Sequence, residues 1–119
     1  MRRRDDRGQA TVELALVLPI IVIILAGVVW VGQLFAVQLQ LEHGAREGAR
    51  AAAVEPATAS SRAAGAVARV DPDFATATSV GAEFITVEVT VEVTGVPIIN
   101  LGARTLRADA SMRREDLLN

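Results

Sequence analysis

The sequence predicts an α+β chain: a long N-terminal transmembrane helix, then a small domain of one helix on a two- to three-stranded antiparallel sheet. Three observations carry this. Leu14 to Val31 is 18 consecutive residues without a charged or strongly polar side chain, the length at which a helix crosses a bilayer. Ala59, Ala63, Ala66, Val67 and Val70 recur at helical spacing, the mark of a helix with one buried face. In "FITVEVTVEVT" and "RTLRADASMR" the period drops to two, as in half-buried strands.

The apolar run comes first. Thirteen of its 18 residues are Leu, Ile or Val, and at roughly −0.3 to −0.6 kcal/mol each they contribute on the order of −4 to −8 kcal/mol of insertion free energy. Glu13 borders the run, where an acid costs less than at the bilayer centre. The uncharged stretch continues through Gln33, Gln38 and Gln40 to Leu41. Residues 1–8 hold four Arg against two Asp, a net +2, whereas residues 9–119 hold eight Arg against twelve acids, a net −4. A basic head stays on the cytoplasmic side, so the chain is expected to run N-in, C-out as a single pass. Trp30 then falls near the outer interface, and Pro19 is expected to kink the helix because it lacks a donor and crowds the carbonyl of Ala15. A removable secretory signal has a shorter apolar core and a small-residue cleavage site; this run is longer and no A-x-A pattern closes it.

Ahead of the run stands Gly8, then four residues from Gln9 to Val12, then Glu13, all behind a short basic leader. This pattern resembles the class III signal of type IV pilins, which a membrane-embedded aspartyl prepilin peptidase cuts just after the glycine. Glycine admits the backbone to a narrow site without a side chain. The resemblance implies that residues 1–8 are a leader, that Gln9 becomes the mature N-terminus, and that Glu13 faces the N-terminal amine of a neighbouring subunit. "RGQATVELALVLPIIVIILAGVVWVGQLF", followed by "GAREGARAAAV", is similar to the TadE-like family, minor pilins of the tight-adherence (Flp) pilus system. The resemblance covers residues 7–54 and continues more loosely into "TLRADASMRRE". The Phe start and Leu-Ile pair of ordinary type IV pilins are absent, and Leu14 stands where Flp-type signals often carry an aromatic. The family implies a pilin-like architecture and a place in the bacterial cytoplasmic membrane before entry into an extracellular pilus. Its implied partners are the membrane, the prepilin peptidase, other Flp pilins and pilus assembly proteins. Flp major pilins are typically much shorter, which points to the minor role.

The transmembrane part of the 9–54 helix is expected over about 14–34, and beyond it the helix continues to residue 54 as an extracytoplasmic stalk, with a small extracytoplasmic α+β domain over 55–119. Counted from Gln9, that helix measures roughly 69 Å at 1.5 Å per residue. Gly44, Gly48 and Ala52 recur every four residues, as do Ala45, Ala49 and Ala53. Such a strip of small side chains lets another backbone approach closely. It packs on a neighbouring pilin helix or on this chain's own domain, or simply reflects alanine-rich composition, and the spacing does not say which. Glu42 and Arg46 at i, i+4 support the polar side. Pro56 ends the helix, Thr58 or Ser60 caps the next, and Asp71-Pro72 stops it. In the clearest strand Ile85, Val87, Val89, Val91 and Val93 face the core. Leu106, Ala108, Ala110 and Met112 do so in the last strand, and residues 75–80 add a shorter one. Pairs between Glu88 or Glu92 and Arg107 or Arg113 are expected across the polar face, each under about 1 kcal/mol. Ile98 and Ile99 lie in a loop, either tucked over the sheet edge or offered to a partner.

No catalytic constellation is visible. His43 has only Glu42 beside it, a solvated histidine rather than a base. There is no phosphate loop, and with no Cys in the chain neither a disulfide nor a thiolate metal site. Glu88 and Glu92 lack a nearby ligand His, so no metal is expected. A net charge of −2 without a basic stripe among aromatics excludes a nucleic-acid partner. No enzyme activity, cofactor or small-molecule substrate is expected. The rival to a pilin is an uncleaved, membrane-anchored extracytoplasmic binding module.

Overall fold

The computed structural model describes residues 3–95 and 102–117, with side chains from Gly8 onward. Helix α1 spans Arg3–Val54 and α2 Ala59–Val70, with a 3-10 turn, Pro56–Thr58, between them. Strands β1 (Ala75–Val80), β2 (Phe84–Val93) and β3 (Arg104–Arg113) follow, and a last 3-10 turn covers Glu115–Leu117. The chain divides into two compact units, up to Gln33 and from Leu34.

The first unit is the N-terminal part of α1. Its side chains from Val12 to Val31 are largely exposed, and this is a helix long and apolar enough to span a membrane. The helix continues through Pro19. A proline removes one ladder bond, and its neighbours hold the helical path on either side.

The second unit is a two-layer α+β domain. Its sheet is antiparallel in the order β1-β2-β3. Ile85, Val87 and Val89 of β2 face α1 residues Leu41, Ala45, Ala49 and Ala52 and α2 residues Ala59, Ala63 and Val67 in one cluster, closed by Phe74 and Ala108. Each of the large buried side chains stabilises the fold by about 1.5–3 kcal/mol relative to exposure. The inward alternation expected of β2 and of Leu106, Ala108 and Ala110 is present, whereas Met112 at the end of β3 is exposed. β1 turns Thr76 and Thr78 inward opposite Val89 and Val87. The second unit begins at Leu34, and the inner side of α1 from Leu41 onward packs with α2 as the helical layer over the sheet.

Register corrects the expected ion pairs. Glu88 stands opposite Asp109, and Arg107 opposite Thr90. Arg113 pairs with Glu83 at 2.9 Å, at the end of the β2–β3 ladder. Among the described residues neither Glu88 nor Glu92 forms an ion pair with Arg107 or Arg113. The polar face is instead stitched by Thr86 and Ser111, whose hydroxyls lie 2.8 Å apart. Thr58 holds the N-cap position of α2 without capping a helical N–H; its hydroxyl donates to the Glu55 carbonyl at 3.4 Å. The Glu55 carboxylate accepts from Arg62 Nε at 2.8 Å, tying the turn to the first helical turns of α2. At the other end the N–H of Asp73 donates to Asp71 Oδ1 at 2.9 Å, an Asx turn that reverses the chain into β1. Ile98 and Ile99 lie outside the described residues.

Candidate processing and assembly site

Gly8, Gln9 and Glu13 all lie on α1 in the first unit, and all are exposed. Gln9 and Glu13 are one turn apart on the same side, with Gln9 Nε2 donating to Glu13 Oε1 at a long 3.5 Å. So loose a contact leaves the carboxylate open to a stronger donor. Among the described residues a β-carbon built on Gly8 meets nothing within 4 Å, so they place no steric demand for glycine there. α1 spans Arg3–Val54, and the Gly8–Gln9 peptide bond is therefore helical.

The strip of small residues lies in the second unit, where its own chain covers it. Ala45, Ala49, Ala52 and Ala53 are fully buried. A β-carbon on Gly44 would lie 3.7 Å from Phe74 Cδ2 and 3.8 Å from Val67 Cγ1, and one on Gly48 3.0 Å from both Val67 Cγ2 and Val87 Cγ1. Of the two occupants the sequence allowed, the structure has the chain's own α2 and sheet.

With that side of α1 taken, a different face is left. Phe35 and Leu39 are 68% and 67% exposed, two residues out of phase with Val37 and Leu41, which join the core. At 3.6 residues per turn a two-residue offset turns a side chain to the far side of the helix. Sequence reasoning missed this pair. The signal was available in the phase of Leu41, Ala45 and Ala49, which dictates what points outward once their inward direction is known.

Beside this face α1 and the edge strand β3 enclose a shallow polar groove lined by Gln38, Glu42, Arg46, Arg107, Ala108 and Asp109. Gln38 Nε2 donates to the Arg107 carbonyl at 3.2 Å, satisfying one acceptor on the open sheet edge. Arg46 and Glu42 pair at 3.7 Å, both well exposed. With both signs of charge on its walls, the groove has no net field to gather an ionic ligand. No group of three His, Cys, Asp or Glu able to hold a metal ion occurs among the described residues.

Residues 8–50 match the family described as TadE-like protein. The match opens on Gly8 and runs along α1 to Arg50, 43 of the 119 residues. Over this span the N-terminal helix is similar to that of TadE-like proteins. No curated protein and no solved structure matches the chain.

Proposed function

We propose that the chain is a TadE-like minor pilin. A prepilin peptidase cuts it after Gly8, and α1 holds it as a single N-in, C-out pass in the cytoplasmic membrane until it joins an Flp-type pilus. One coincidence carries this reading: the Gly8-x4-Glu13 spacing stands at the head of an apolar helix, and the TadE-like match begins at that same glycine. On this reading residues 1–8 are the leader, 9–54 the spanning and packing helix, and 55–119 the rest of the outward-facing domain. The peptidase, other Flp pilins and assembly proteins are its partners. The small-residue strip holds the subunit's own domain on α1, and Phe35 and Leu39 present the face to a neighbouring helix.

The rival, an uncleaved anchored module, draws on the helical conformation of the Gly8–Gln9 bond. Intact mass of the membrane-extracted protein, made with and without a prepilin peptidase, separates the two. Loss of Met1–Gly8 only with the peptidase supports the pilin. An unchanged mass beside a peptidase active on a known pilin supports the anchored module.

A further inference from the structure

The bond proposed for cleavage lies inside an unbroken helix that starts five residues earlier, at Arg3. In an α-helix the carbonyl of residue 8 accepts from the N–H of residue 12, and the N–H of residue 9 donates to the carbonyl of residue 5. Hydrolysis adds water across that bond. The water oxygen attacks the Gly8 carbonyl carbon, the C–N bond breaks, and Gly8 keeps a carboxylate while the Gln9 nitrogen takes up a proton as the new amine. A carbonyl wrapped in its own helical turn is engaged in that turn's hydrogen bonds and shielded by it. A site that reads backbone takes an extended strand, whose N–H and C=O groups are free to pair with it. The bond as it stands in α1 is protected.

Glycine is the weakest helix former after proline. At position 8 that weakness has no return in packing among the described residues, none of whose atoms crowds its missing β-carbon, and none in backbone freedom, since Gly102 is the described glycine with positive φ. We infer that cleavage proceeds from a minor, unwound form of the first turns of α1, and that Gly8 sets how often this form is populated. The inference rests on the processing reading above. Gly8 then acts twice, in admitting the backbone to the peptidase and in releasing the backbone from the helix. When reclosing is fast relative to cutting, cleavage tracks the population of the open form.

The test leaves Gly8, Gln9 and Glu13 in place and changes helix stability beside them in the full-length chain. In membranes with an active prepilin peptidase, cleavage rate is measured for wild type, Ala10→Gly and Val12→Ala, alongside amide exchange over residues 9–12. Ala10→Gly is expected to raise both about three- to fivefold, and Val12→Ala to lower both about two- to threefold, following helix propensity. Cleavage that ignores the exchange rates while wild type is cut overturns the inference and leaves the processing reading intact. A wild type that stays uncut beside a pilin that is cut removes both.

Discussion

Gly48 of α1 and Val67 of α2 approach so closely that a β-carbon on Gly48 would stand 3.0 Å from Val67 Cγ2, and as close to Val87 Cγ1 on the sheet. Gly44, one turn earlier, leaves 3.7 Å or more to its nearest neighbours, an ordinary van der Waals contact. Gly48→Leu is therefore expected to lower stability by about 1–3 kcal/mol through overpacking. Gly44→Ala is expected to raise it by roughly 0.5–1 kcal/mol, because alanine restricts the unfolded chain and suits the helix interior. Thermal melts of the detergent-solubilised protein followed by circular dichroism check both, at about 4–8 °C per kcal/mol for a domain of this size. If the two variants shift in the same direction, the contact is wrongly described.

These glycines also show where reading the sequence stopped. Their four-residue spacing announced a close contact but not its partner, because a small side chain is needed equally against a neighbour's helix or the chain's own. The alternation in β2 and the inward face of α2 were legible, since each period is set by local geometry alone. The expected Glu88–Arg107 pair was not, because register depends on how two strands slide, and here Asp109 stands opposite Glu88. The Gly8-x4-Glu13 signal was visible as a pattern, while the helical state of the bond inside it appears only in three dimensions.

Phe35 and Leu39 offer a second test. The chain has no cysteine, so single substitutions report without background. On the proposed assembly, Leu39→Cys is expected to form disulfide-linked pairs or links to a co-assembled cysteine-bearing pilin. Ala45→Cys, on the fully buried side of the same helix, is expected to form none. Equal cross-linking at both positions would mean that the helix faces have been assigned wrongly.

Two ion pairs set a dependence on acid. Hydrogen bonding from Arg62 holds the Glu55 carboxyl below its ordinary value of 4.5. Hydrogen bonding from Arg114 likewise holds Asp116 below its ordinary 3.8. A carboxylate with a lowered folded pKa contributes stability that is fully present above its unfolded pKa and lost as pH falls through the folded one. At neutral pH the Glu55→Gln/Asp116→Asn double variant is expected to unfold at a slightly lower urea concentration than wild type. The two midpoints converge as pH falls below about 4.5 for Glu55 and then below about 3.8 for Asp116. Both pairs are partly solvated, so the neutral-pH gap is also expected to shrink toward about 1 M salt, where screening acts within ~3 Å. Midpoints that stay parallel from pH 7 to pH 3 would mean that neither pair is formed in solution.

Glu13 separates cutting from assembly. Its carboxylate meets the Gln9 side chain only at 3.5 Å, and after cleavage the same residue would carry a new ammonium. An acid at the edge of an apolar helix is costly to bring into a low-dielectric contact unless a cation sits beside it, and removing one partner of such a pair leaves the other charge uncompensated. Glu13→Gln preserves shape and hydrogen bonding but loses the charge. On the proposed reading it is still cut after Gly8, with the mass of wild-type product, yet enters the sheared pilus fraction several-fold less. If Glu13→Gln is cut and assembles as wild type does, the amine-pairing role is wrong even though the cleavage is right. If the variant is not cut at all, the peptidase itself reads the acid, and the amine pairing loses its support.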